Sequence, residues 1–391
     1  MTTYLILMTT GPVQEFIAQA RRTRDLWFGS HLLSEISKAA AASLHSHGAR
    51  LVFPGIQDAD LERYLMPSDS PLDQGEPVFN VANRIVAQLE TDVPDQIVAK
   101  VRSAVRARWQ ALAKAVWDRA WHDKLVYPDA GDVWNEQVEG LIEFQAAWSP
   151  LESAGAYSDA LEALDETIEA RKSLRNFQPW KVQHAGRPRS SLDGARETVL
   201  RKPDESTSPM RVQFRIQPGE QLDAVGLIKR AGGKPEQFLS VHNVALAAWT
   251  RHAALRAPEE LEALRAAPDL PKRVRGLSQR LAWVRRLPLD GGLLLPEQWP
   301  ALARECELKP EQMRQLGERY VMPLLKKAGR PQPYVAAIVA DGDRMGEALR
   351  QMHSWEEHRA FSIALAGFAG RAREVIEHEC CLLYTSPSPR D

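Results

Sequence analysis

Tyr4–Met8 is a short apolar run stopped by Thr9-Thr10-Gly11-Pro12, the pattern of a buried strand. Val13, Phe16, Ile17, Ala20 and Trp27 then recur at three- and four-residue steps, with Arg21, Arg22, Arg24 and Asp25 largely between them, which predicts an amphipathic helix. Gly29-Ser30 is expected to interrupt it before Leu32, Leu33, Ile36 and Ala40 continue the stripe. Arg50–Phe53, ending at Pro54-Gly55, reads as a second strand, and Asn83–Leu89, after a Pro-rich stretch over Met66–Pro77, as a third. A long helix is expected from Ile97 to about Leu125, with Val101, Val105, Trp109, Leu112, Val116 and Ala120 on one face, and Gly140–Ala147 as a further strand. The order strand, helix, strand, strand predicts the beginning of a ferredoxin-like α+β layer over residues 1–150. From 151 to 330 the pattern is mainly helical, with Tyr157–Lys172, Val244–Ala257, Pro258–Ala267 and Pro310–Lys327 as examples and no repeat of fixed period.

Composition narrows the class. The 391 residues carry 50 Lys and Arg against 51 Asp and Glu, a formal net charge of -1, which excludes the strongly basic footprint of a protein that coats duplex DNA by itself. Hydrophobic residues at 44% and charged residues at 26% describe a soluble globular chain. Apolar runs such as Val335–Ala340 and Val244–Trp249 are far shorter than the roughly 18 residues of a membrane span. Met1–Met8 lacks a basic leader and runs into Gly11-Pro12, so no secretory signal is expected. Three cysteines form no disulfide framework and point to a reducing, cytoplasmic setting. Eleven tryptophans are expected mainly in cores and interfaces rather than as base-stacking platforms.

Basic residues cluster in two places. Arg102, Arg106, Arg108, Lys114 and Arg119 flank the long helix and read first as a solvated face, although a phosphate backbone would also suit them. Lys272–Arg286 carries Lys272, Arg273, Arg275, Arg280, Arg285 and Arg286 around Trp283, a spacing open to single-stranded RNA or to a protein face. His122-Asp123 has no spaced metal-ligating partners and reads as incidental, and His45 and His47 show no ligand spacing. There is no Walker loop and no nucleophile elbow.

The chemistry concentrates near residue 341. Tyr334–Ala340 is expected to be a wholly apolar strand, and Asp341-Gly342-Asp343-Arg344-Met345-Gly346 follows, then a helix. Two acids at the end of a buried strand are how polymerase- and cyclase-type palms hold Mg²⁺, because hard cations take carboxylate oxygens on rigid supports. Gly342 and Gly346 leave room for a triphosphate, and the following helix would offer its N-terminal N–H groups. An ordinary Asp-Gly turn after a strand fits the same residues. A helix from about Glu356 to Glu379, with Phe361, Leu365, Phe368, Ala372 and Ile376 on one stripe, leaves too few residues for the hairpin, helix and strand that complete a palm. The region 331–381 is therefore expected to be an unfinished second palm. Residues 382–391 read as a translated adaptor tail outside the fold.

The run Gly11-Pro12-Val13-Gln14-Glu15-Phe16-Ile17-Ala18-Gln19-Ala20-Arg21-Arg22-Thr23-Arg24-Asp25-Leu26-Trp27, continuing through Gly29-Ser30 to Leu32-Leu33-Ser34, resembles the N-terminal palm of the large, polymerase-like subunit of type III-B (Cmr) CRISPR effector complexes. Further echoes are Asn83–Ala87, Ser191–Gly194 with Glu197, Leu222–Arg230 and Val335–Gly346, so the resemblance spans about residues 1–381. It implies an N-terminal ferredoxin-like palm (1–150), a mainly helical linker domain (151–330) and the start of a GGDEF/cyclase-like palm (331–381). It further implies ATP as substrate with Mg²⁺ or Mn²⁺, cyclic oligoadenylate as product, and other Cmr subunits, guide RNA and target RNA as partners, with no membrane. Asp341 and Asp343 would be the catalytic acids and metal ligands, and Gly342, Arg344 and Gly346 the nucleotide-facing residues.

Departures from the family pattern shape the expectation. The Gly-Gly-Asp-Asp hairpin that should follow the last helix is absent, so the chain as written is expected to be inactive. Ser190-Ser191-Leu192-Asp193-Gly194 stands where many relatives carry zinc-binding cysteines, so no zinc is expected. No HD nuclease precedes the first palm, so single-stranded DNA cleavage is not predicted. Two readings stay open, a cyclic-oligoadenylate synthetase and a non-catalytic scaffold with an inert palm. A free-standing diguanylate cyclase is disfavoured, because the first palm and helical domain have no place in it.

Overall fold

The computed structural model describes residues 1–68, 79–174, 181, 184, 186–202, 209–217, 219–233, 240–275, 287–336 and 342–380, and of residues 154, 212, 272, 350 and 373–380 the backbone alone. The first unit runs β1 (Thr2–Gly11), α1 (Gln14–Ala18), α2 (Thr23–Ser46), β2 (Arg50–Phe53), α3 (Leu61–Leu65), β3 (Arg84–Thr91), α4 (Pro94–His122), α5 (Gly131–Glu139) and β4 (Glu143–Pro150). The sheet order is β2-β3-β1-β4, with each neighbouring pair antiparallel. Strand, helix, strand, strand, helix, strand in that order is the split βαβ arrangement of ferredoxin-like domains.

β1 lies inside the sheet and is buried on both faces, which is why Leu5–Met8 reads as an unbroken apolar run rather than an alternation. Ile6 and Met8, with Ile85, Ala87 and Leu89, face the core shared with α2 and α4. Leu5 and Leu7, with Val52, Val86 and Ala147, face Tyr157, Leu161, Leu164 and Ile168 of α6 (Tyr157–Ser173).

The cores partition the rest of the chain. Val199 and Leu200, Met210 of α7 (Pro209–Gln213), Phe214, Ile216 and Leu222, and the apolar side chains of α8 (Ala224–Ala231) pack into the core of the first sheet. A separate helical core spans Leu246–Ala328. Preceded by α9 (Val241–Ala245), it is built by α10 (Ala247–Arg256), α11 (Pro258–Ala266), α12 (Trp299–Glu305), α13 (Pro310–Leu316) and α14 (Met322–Ala328). A π-helical turn over Gly317–Val321 joins the last two, so the expected Pro310–Lys327 helix is continuous in course but widened in the middle. The described course ends in α15 (Met345–Arg350) and α16 (Trp355–Cys380), and no described helix is long and apolar enough to cross a membrane.

One expectation changes. Gly29-Ser30 does not break the first long helix; α2 passes through both residues, and Gly29 leaves room for the Lys229 side chain, whose Cε would lie 3.0 Å from an added Cβ. The interruption falls earlier, between Ala18 and Thr23, where Lys229 Nζ donates to the open carbonyls of Phe16 and Gln19. The expected strand over Tyr334–Ala340 falls mostly outside the described residues. Residues 334–336 are exposed and carry no strand, and 337–341 lie outside the described residues.

Candidate functional site

The N-terminal motif is built around Asp25, in the first turn of α2, where its carboxylate accepts from Arg21 and Arg22 N–H at 3.2 Å. Arg230, at the end of α8, donates from Nε and Nη2 to both Asp25 oxygens and from Nη1 and Nη2 to Glu220 at 2.9 and 2.7 Å. Arg230 and Asp25 are wholly buried. Burial pushes the Asp25 carboxyl up, but the bonds and charge of Arg230 outweigh it and hold the carboxyl below its ordinary value. Arg24 donates to Gly232 O at 2.9 Å and lies over the Phe214 ring, while Arg22 pairs with Glu305 of α12 at 3.3 Å. The run Arg21–Asp25 thus joins the sheet unit to residues 214–232 and to the helical unit. The Leu222–Arg230 echo lies against the strongest motif, a pairing that sequence spacing could not show.

A second buried cluster sits one face along α2. Glu35 accepts from Lys38 at 2.9 Å, from Arg108 at 2.7 Å and from Ser68 N–H at 2.7 Å. His31 Nε2 lies 3.2 Å from Ser68 O, and burial pushes its pKa down to about 4. The basic flank of α4 is in this way largely structural. Arg108 neutralises Glu35, Lys114 pairs with Asp118, and Arg119 donates to the Ala231 and Gly233 carbonyls. The basic segment after 271 behaves alike where it is described: Arg273 pairs with Glu307, and Arg275 donates to Arg265 O and Ala267 O. Residues 276–286 lie outside the described residues.

The Ser190–Gly194 turn closes on its own polar contacts. Ser190 Oγ donates to Asp223 Oδ1 at 3.4 Å, Ala195 N–H to Asp193 at 2.9 Å, and Arg196 lies 3.8 and 3.5 Å from Asp193 and Asp223. Glu197 is 2.9 Å from His184 Nδ1.

The acids singled out near residue 341 are only partly brought into view. Asp341 lies outside the described residues, and Asp343 is exposed in a turn. Arg344 caps α15 in the left-handed region at φ 56°, and Gly346 lies in the first turn of that six-residue helix. Gly342 is closed over by the Met345 side chain, whose Cγ would lie 2.7 Å from an added Cβ. No group of three His, Cys, Asp or Glu that could hold a metal forms among the described residues.

What is well built is the seat of the helix that follows. Arg359 of α16 donates to Leu51 O at 3.1 Å and Ile56 O at 2.9 Å, and also to the Asp58 carboxylate. The Tyr157 hydroxyl and His358 Nδ1 meet at 2.6 Å in a buried pair, and burial pushes the His358 pKa down to about 4. Arg50 stands over the Trp355 ring at 5.7 Å. Gly55 permits the close approach, because a Cβ there would lie 2.3 Å from Ile363 N. The predicted apolar stripe is not the docked face: His358 and Ser362 are buried, whereas Leu365 and Phe368 are exposed. A polar patch facing a β-strand edge leaves no periodic apolar signal, so sequence reasoning missed it.

The fold is therefore a ferredoxin-like α+β unit with a helical unit and a docked C-terminal helix. Residues 5–114 match the family described as CRISPR-associated protein Cmr2, N-terminal, so this stretch is similar to that family. Among solved structures, the cryo-EM structure of the type III-B Cmr-beta bound to cognate target RNA is similar at a TM-score of 0.54 and 15% identity, covering 85% of this chain and 44% of that one. The cryo-EM structure of the type III-B Cmr-beta apo state is similar at 0.49 and 14%, covering 83% and 42%. The chain thus spans less than half the length of the chains it matches. No curated protein matches it.

Proposed function

We propose that this chain is the large-subunit portion of an RNA-guided type III-B CRISPR effector complex, with other Cmr subunits, guide RNA and target RNA as its partners. The observation that carries the reading is the match to the Cmr2 N-terminal family over residues 5–114, on a unit with a four-stranded β2-β3-β1-β4 sheet. The role of the N-terminal motif in it is mechanical. Asp25, Arg230 and Glu220 lock the sheet unit to residues 214–232, and Arg22–Glu305 ties it to the helical unit, giving a stiff body on which partners can be ordered.

The same reading extends to ATP. Asp341 and Asp343 would supply carboxylates for Mg²⁺ or Mn²⁺, with Gly342, Arg344 and Gly346 toward the nucleotide, and the product would be cyclic oligoadenylate. The domain division 1–150, 151–330 and 331–381 belongs to this proposal. The alternative is a scaffold with an inert second palm; the retention of both Asp341 and Asp343 in the sequence supports the synthetase over it. The test is ATP conversion by the complex assembled with guide and target RNA around a subunit in which the second palm has been completed with its Gly-Gly-Asp-Asp hairpin. Conversion that Asp341→Ala abolishes supports the synthetase. Full assembly with no conversion leaves the scaffold, and full activity in Asp341→Ala contradicts the metal assignment.

A further inference from the structure

The two edges of the sheet are treated differently. β2 is four residues long, has a register irregularity between Leu51 and Phe53, and its Leu51 carbonyl is taken by Arg359. These are the devices by which natural sheets close an edge. β4, at the other edge, is eight residues long and, among the described residues, has a strand only on its β1 side.

Its register fixes which backbone groups face outward. Leu151 N–H donates to Thr3 O at 2.8 Å, so Ser149, Ala147, Gln145 and Glu143 share the hydrogen-bonded register with Leu5, Leu7, Thr9 and Gly11. Phe144, Ala146 and Trp148 then point N–H and C=O away from the sheet, and Pro150 ends that row without a donor. No Lys, Gly or bulge guards the three positions. Trp148 is 38% exposed, and Phe144 is half-buried beneath Arg102, whose guanidinium lies 5.4 Å from the ring centroid. Arg106, one turn further along α4, is exposed as well.

We infer that the outer edge of β4 is a docking strand for an extended, acid-bearing segment of a partner protein. The period-two row of donors and acceptors selects an extended backbone, Trp148 and Phe144 give its side chains an apolar bed, and Arg102 and Arg106 select a carboxylate on the face toward α4. The inference rests on the reading of the chain as a subunit of a protein assembly and names the surface that reading would use.

Hydrogen exchange tests it in the chain alone and in the complex assembled with the other Cmr subunits. Alone, the Phe144, Ala146 and Trp148 amides should exchange much faster than those of Gln145, Ala147 and Ser149; equal protection would mean the edge is already covered and overturns the inference. On assembly the three amides should become protected. Ala146→Pro removes one outward donor without touching the β1 ladder and should weaken assembly about tenfold. The pair Arg102→Glu and Arg106→Glu, both on an exposed helix face, should weaken it with the sheet's protection intact. Assembly that leaves the three amides unprotected overturns the docking strand alone, whereas a wild-type chain that does not assemble overturns the subunit reading and the docking strand with it.

Discussion

Asp25 and Arg230 lie 205 positions apart in the chain, yet each is the other's main partner in a region without solvent. Removing the Asp25 charge leaves Arg230 with Glu220 as its counter-ion and one buried bonding face poorly matched, so Asp25→Asn should cost about 1–3 kcal/mol. Urea unfolding followed at α2 and α8 checks this, and a loss under about 1 kcal/mol would remove the pair from its central place. Two histidines give the pH dependence its sign. His31 and His358 are held neutral by burial with pKa values of about 4, below the ordinary value of 6.5. Between these values the unfolded chain binds more protons than the folded one, so stability is full above about pH 6.5 and falls as pH drops toward about 4. His358→Gln should flatten the part of that fall reported by α16, measured by thermal melting across the window. At this scale the sequence pointed to Arg21–Asp25 as a motif, but the roles of Arg22 and Arg24 needed partners at 305, 214 and 232 that no local pattern predicts.

Elements tell a different story, because their limits follow from local rules. Strand β1, helix α4, helix α6 and helix α16 all form close to where apolar spacing and Pro or Gly punctuation place them. The failures are tertiary. α2 continues through Gly29 because Lys229 fills the space a side chain would take, and the Ala18–Thr23 break is held by the same lysine. α16 docks through His358, Arg359 and Ser362 rather than through its apolar stripe, and Gly55 is the position that decides it. Gly55→Ala forces a Cβ to within 2.3 Å of the α16 backbone, so hydrogen exchange over 355–372 should speed up while β1 and β3 stay protected. Unchanged exchange over 355–372 would mean the contact is not the seat of the helix.

For the molecule as a whole, the βαββαβ unit was legible because its strands alternate or run apolar according to burial, and because its helices carry a clear 3.6-residue period. The partition of the cores was not. Val199, Leu200, Met210, Phe214 and the apolar residues of α8 join the first sheet's core through side chains that meet only after folding. The acids near 341 were legible as a motif alone, since Asp341 lies outside the described residues and Asp343 stands exposed without a second ligand beside it among them. Fold, motif and partner surface all turn on whether the chain is a working part of a Cmr complex. Native mass spectrometry of the chain co-expressed with the other Cmr subunits and a guide RNA tests this most directly. The expected result is a ribonucleoprotein that includes one copy of this 43.8 kDa chain. Partner subunits that assemble on the guide while this chain stays free would contradict it.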